Sequence, residues 1–358
     1  MGRFNLFGVS SFVIGHYFNG NYYVETDYYG SRKKRTLRVG EQFRPEFPDS
    51  IDLKITNKCS WGCPYCHESS TPNGKTYDFD RTIQVLGQLP KVGIELAIGG
   101  GNLFDIPEET LGLLNWAKAN GFLPRMTLNR RDFEREDVLD IIDKLRNDWD
   151  YRNVNKLGGS RSALSFLLEG LDTIGCSTDK YLEDHIFSWR GQHDWFDKWL
   201  PFKNLNVVWH VIIGVLSVQD LEAMFKDPHA YDKILILGFK QFGRAKDMPI
   251  RDLDKWKETV RRLLWQSRHV LGEKKVTLGF DNLALQQLEL QDVLSKREWD
   301  SMYFGDEFSS TMYVDAVEET YAPTSRSTER VRWNEMGILD YFKSKKNEFV
   351  CDQSGQVG

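Results

Sequence analysis

The segment Cys59-Ser60-Trp61-Gly62-Cys63-Pro64-Tyr65-Cys66 carries three thiols at C-x3-C-x2-C spacing. It lies just after Ile51 to Thr56, an apolar alternation of the kind a half-buried strand shows. Three thiolates on one loop can hold three corners of a cuboidal [4Fe–4S] cluster, because thiolate is the ligand that iron–sulfur chemistry uses. No fourth cysteine follows locally. Cys176 and Cys351 are far along the chain, which leaves one iron open to grip and activate a cofactor. The same residues admit a second reading. His67 beside Cys66 would complete a Cys3His set around structural zinc, although zinc loops more often pair two separated C-x2-C units.

The surrounding chain has a β/α rhythm that would place such a loop at a strand end. Strands are expected at 51–56, 94–98, 125–128, about 155–160, 206–213, 233–237 and 275–280. Helices are expected from Asp80, from Pro107 to the Asn120-Gly121 stop, over 134–147, from Ser217 to Phe225 and over 252–271. Each strand runs into a polar or glycine-rich turn, and in parallel α/β barrels the working groups sit in those turns. The fold class expected is α/β, a partial (β/α)6–7 TIM-like barrel with an N-terminal β appendage and a C-terminal extension. Residues 1–48 form the appendage, with strands at 12–18 and 22–26 across an Asn-Gly turn and a short strand at 35–39. Residues 49–290 form the barrel, with an aromatic-rich insertion at about 162–204, and 291–358 form the extension with a β-hairpin.

The cysteine loop, with an aromatic Tyr65 before its last thiol, resembles the radical S-adenosylmethionine (radical SAM) superfamily, and the resemblance extends over roughly residues 50–285. It implies that the open iron chelates the amino and carboxylate groups of SAM. One electron, from a donor such as flavodoxin or ferredoxin, then yields a 5′-deoxyadenosyl radical that takes hydrogen from a substrate. Gly99, Gly100, Gly101 and Asn102 fall where the family has a Gly-Gly-Glu turn contacting the methionyl amino group. Asn102 replaces the glutamate and is a weaker acceptor. That replacement also admits a SAM-binding protein without radical chemistry. Asn129 and Ser160 match polar positions beyond later strands, and Arg161 would fork onto the SAM carboxylate. Ile212, Gly214, Gly238, Phe239 and Tyr65 would line the adenine. Asp281, ending the last barrel strand, is a candidate substrate or proton-handling carboxylate, and equally a helix cap.

Composition narrows the setting. A net charge of −5 over 358 residues argues against a general nucleic-acid binder, while a local basic groove stays compatible with it. The basic runs Arg32 to Arg35 and Lys343 to Lys346 read as solvated turns or helix ends. Five cysteines, three in one loop, are not a disulfide framework and suit a reducing cytoplasm. No apolar run nears the ~20 residues of a membrane span. The first residues lack a signal peptide's apolar core, and Gly2 lacks the Ser or Thr of a myristoylation site. With Cys351 alone in the extension, no auxiliary cluster is expected there. The substrate expected is a peptide or protein, ahead of a nucleoside or small metabolite.

Overall fold

The computed structural model describes residues 13–27, 32–38, 43–135, 173–179, 206–227, 231–269, 276–296 and 309–345, with single positions at 41, 298, 299 and 303. The chain is mixed α/β with mostly parallel strands, and it divides into two compact units. One unit comprises Met1–Cys63, Glu68–Met126 and Gly305–Gly358; the other comprises Pro64–His67 and Thr127–Phe304.

The first unit opens with an antiparallel sheet of β1 (Val13–Asn19), β2 (Tyr22–Asp27) and β3 (Arg32–Thr36). Gly20 turns the chain between β1 and β2 with φ of 59°. The basic run Arg32 to Arg35 is therefore a strand, not the solvated turn or helix end expected. The run has a partner beyond its own segment: Lys34 Nζ reaches the buried Asp49 carboxylate at 2.7 Å. The second sheet run has the order β6 (Leu123–Asn129), β5 (Glu95–Gly100), β4 (Ser50–Thr56), β11 (Thr311–Asp315), β12 (Thr320–Ala322) and β13 (Val331–Arg332). β4 pairs in parallel with β5 on one side and with β11 on the other. A hairpin then returns from β11 to β12. Ile51, Leu53 and Ile55 of β4 are fully or almost fully buried, as an inner parallel strand requires.

Two helices cover these strands. Helix α1 (Phe79–Leu86) is capped two residues before the Asp80 expected, because Asp78 is the residue that accepts the Arg81 N–H. Helix α2 (Pro107–Ala119) begins on proline, whose missing N–H costs nothing in a first turn.

The second unit carries β7 (Thr173–Ser177), β8 (Asn206–Ile212), β9 (Lys233–Leu237) and β10 (Thr277–Phe280), neighbours in that order and all parallel. Helices α3 (Val218–Lys226), α4 (Leu253–His269) and α5 (Asn282–Gln287) follow β8, β9 and β10. Helix α4 buries Trp256, Val260, Leu263 and Leu264, one stripe at helical spacing. β7 lies in the stretch expected to be irregular. The strand expected at 155–160, the helix at 134–147 and most of the aromatic insertion lie outside the described residues. Among the described residues no helix is long and apolar enough to cross a membrane.

Candidate active site

In the first unit, the thiol loop leaves β4 through a stem held backbone to backbone. Asn57 N–H donates to Lys75 O (2.8 Å), Cys59 N–H to Thr71 O (2.8 Å) and Thr71 N–H back to Asn57 O (3.0 Å). Cys59 is thereby buried, while Cys63 and Cys66 are partly exposed. None of the three is in a disulfide, nor is the buried Cys176 on β7, whose thiol is pushed up by burial. Asp105 adds a clamp unseen in sequence, accepting from Ser60 N–H at 2.7 Å and Ser60 Oγ at 3.2 Å.

The turn after β5 is bonded onto that stem. Gly101 N–H donates to Thr56 O at 2.7 Å and Asn102 N–H to Lys58 O at 2.8 Å. A Cβ on Gly101 would stand 2.0 Å from Lys58 O, and Gly100 holds φ of 124°, so glycine is required at both. Their first duty is thus to let the two strand ends approach. Gly99 differs: nothing lies within 4 Å of where its Cβ would be, so that side of its α-carbon faces open space. The Asn102 side chain is buried, and its Oδ1 accepts from Phe104 N–H at 3.0 Å as the cap of a short 3₁₀ turn. That bond takes one of the two acceptor positions of the amide oxygen.

In the second unit, Cys66 O accepts from Arg244 N–H at 3.0 Å, so the turn after β9 is tied to the last thiol's backbone. Nothing in the spacing of the sequence signals this contact. Gly214 turns the chain after β8 with φ of 75°, beside Arg251, and Ile212 pairs with Leu237. Phe239 is buried. The backbone groups offered to adenine at Gly238 and Phe239 are engaged within the chain. Gly238 N–H donates to Asp281 Oδ1 at 2.9 Å, Phe239 N–H to Gln287 Oε1 at 2.8 Å, and Gln287 Nε2 to Phe239 O at 3.0 Å.

Asp281 Oδ1 also accepts from Ala284 N–H at 2.6 Å, so this carboxylate caps α5 and latches it to the end of β9. Asn129 caps likewise, its Oδ1 accepting from Arg131 N–H at 3.0 Å while Asp132 returns a bond to its own N–H. Ser160 and Arg161 lie outside the described residues. One titratable group was missed. His210 on β8 is pushed down to about 4 by burial. Its ring fills the space over Gly175, where a Cβ would stand 2.3 Å from His210 Cε1.

The chemistry of the donor set fits a thiolate-ligated cluster: three thiols outside any disulfide on one loop with a hydrogen-bonded stem. Among the described residues no three His, Cys, Asp or Glu side chains converge as ligands of a metal ion.

No protein-family model matches the sequence, and no characterised protein matches it by sequence. Solved structures do match. SuiB of Streptococcus suis bound to S-adenosylmethionine superposes with a TM-score of 0.52 at 12% identity, over 84% of this chain and 68% of SuiB. SuiB bound to the precursor peptide SuiA gives 0.54 at 12% identity, over 83% of this chain and 65% of that one. SuiB alone gives 0.50 at 13% identity, over 83% and 66%. The chain thus spans about two thirds of the length of SuiB, and at this identity what the two share is the fold.

Proposed function

We propose that this chain is a radical SAM enzyme acting on a peptide or protein. The observation that carries the reading is the junction of the thiol loop after β4 with the glycine turn after β5, joined by two hydrogen bonds at the C-terminal ends of adjacent parallel strands. Ligands of parallel α/β folds bind at such ends. The fold likeness to SuiB, which holds S-adenosylmethionine in one structure and a precursor peptide in another, supports both the cofactor and the substrate class.

In this reading the strands form a partial barrel, and Cys59, Cys63 and Cys66 hold the [4Fe–4S] cluster. A cluster puts its thiolates on three different irons, which need not converge as the ligands of one ion must. When bound, the reduced cluster and SAM supply a 5′-deoxyadenosyl radical for hydrogen abstraction. The protein's own work is orientation and exclusion of water. Gly99 presents open backbone to the methionyl amino group. Tyr65, Ile212 and Phe239 wall the adenine, and Gly214 lets the chain turn away from it. Arg161 forks onto the carboxylate end, with Ser160 a polar position next to it in the chain. Asp281 acts through the latch it makes on α5, a positioning role. A reducing compartment such as the cytoplasm, and a small electron-transfer protein as donor, complete the setting.

The test is anaerobic reconstitution with iron and sulfide, then dithionite and SAM, with 5′-deoxyadenosine followed by mass spectrometry. The wild type is expected to turn brown and make deoxyadenosine, and Cys63→Ala to do neither. A cluster-bearing protein that binds SAM and makes none would leave a SAM-binding protein. A colourless protein loaded with zinc on Cys59, Cys63, Cys66 and His67 would overturn the reading.

A further inference from the structure

Beside the exit of the thiol loop lies a set of largely buried charges. Lys54 Nζ on β4 sits 2.8 Å from Glu68 Oε2 and 3.0 Å from Asp315 Oδ2. The three side chains are 8%, 11% and 2% exposed. Arg330 Nη1 joins at 3.1 Å from Asp315 Oδ2, and its guanidinium lies over the Tyr313 ring at 5.0 Å. Tyr313 OH donates to Glu68 Oε1 at 3.3 Å, and Asp315 Oδ1 accepts from Val317 and Glu318 N–H at 3.1 Å each. Two cations thus face two carboxylates. Burial alone would lower the Lys54 ammonium, and Glu68 and Asp315 more than reverse this.

Such a network is a poor source of stability. Desolvating the ions offsets most of their attraction, and apolar residues of the same volume would serve as well or better. What the ions add is fixed geometry, and the points they fix are informative. Glu68 stands two residues past Cys66, at the exit of the thiol loop. The Lys54 stem lies under the glycine turn, its Cγ 3.2 Å from where a Cβ on Gly100 would be. Asp315 ends β11, the strand paired with β4.

We propose that Lys54 is a positioning residue of the thiol loop. With Glu68 and Asp315 it clasps the loop exit and the glycine turn to one strand end. This rests on the function proposed above for its purpose, though not for its existence.

The experiment separates the two. Hydrogen exchange is measured on the reduced, metal-free protein, wild type beside Glu68→Gln, which keeps the side chain's size and removes its charge. The loop amides of Cys59 and Thr71 are expected to exchange at least roughly tenfold faster in the variant, with Leu96 to Ile98 of β5 unchanged. Lys54→Met should do the same if it folds; Glu68→Gln carries the test if it does not. Unchanged loop exchange in Glu68→Gln overturns the clasp, whatever metal the wild type binds. After reconstitution, the variant's reduced cluster is expected to show an altered electron paramagnetic resonance spectrum on adding SAM, an effect that lost stability alone would not cause. A wild-type spectrum in the variant overturns the positioning role. Faster exchange in a protein that holds no cluster leaves the clasp standing and removes the radical SAM reading.

Discussion

A methyl group on Gly101 would press against Lys58 O, so Gly101→Ala must push the turn after β5 away from the loop stem. The expected loss is roughly 2–3 kcal/mol, the cost of overpacking against backbone that has no rotamer to change. Urea unfolding checks it, and an unchanged midpoint would mean the two strand ends are not truly in contact. His210 makes a second prediction, in pH. Its folded pKa, about 4, lies below the ordinary 6.5, so between those values the unfolded chain binds the extra proton. Stability is therefore full above about pH 6.5 and falls as pH drops toward 4, by on the order of 3 kcal/mol. His210→Gln should flatten that slope in melts from pH 7 to 4.5. At this scale the sequence was legible where chemistry is written locally. The thiol spacing and the glycine run were plain. Asp105 was not, since it meets Ser60 from 45 residues away, nor was Asp315, which meets Lys54 from 261. Contacts at such separations leave no periodicity to read.

Elements were legible in proportion to their patterning. β9 is a short, nearly continuous apolar run over Lys233–Leu237 and lies where expected. β7 was overlooked because Gly175 interrupts a short run, and glycine inside a strand weakens its signal. The fold explains that glycine by the ring it must accommodate on the neighbouring strand. Helix starts were read from cap chemistry, which is why Ser217 was found and Asp78 displaced Asp80. Asp281 shows the ambiguity of that chemistry, since a carboxylate at a strand end looks the same whether it caps or reacts. Its two N–H partners make a stability prediction. Asp281→Ala should cost about 2 kcal/mol, roughly 1 for the cap and a similar amount for the orphaned Gly238 N–H. Thermal melts measure this directly. A variant that keeps its melting temperature but loses deoxyadenosine formation would return Asp281 to the chemistry.

Over the whole chain, a single carboxylate holds the opening sheet in place. Asp49 accepts from Tyr17 OH (3.1 Å), Asn19 Nδ2 (2.8 Å) and Tyr22 OH (2.6 Å), and pairs with Lys34 Nζ at 2.7 Å. Asp49→Ala strands those donors in a buried site, at a cost of roughly 3–5 kcal/mol. Limited proteolysis should then cut within residues 37–48 long before the rest of the chain, and equal resistance in variant and wild type would refute the anchor. The basic run in β3 was misread because that partner lies outside its own segment. The placement of β11 beside β4 has a consequence in time. Asp315 leaves the ribosome 261 residues after Lys54. At about 5–20 residues per second that is on the order of 10–50 s of synthesis. Throughout that interval the strand ahead of the three thiols lacks one neighbour, and its ammonium has Glu68 but not Asp315 as a partner. On the function proposed, cluster insertion would then wait for β11, and a nascent chain halted before it should be a poor acceptor of iron and sulfide.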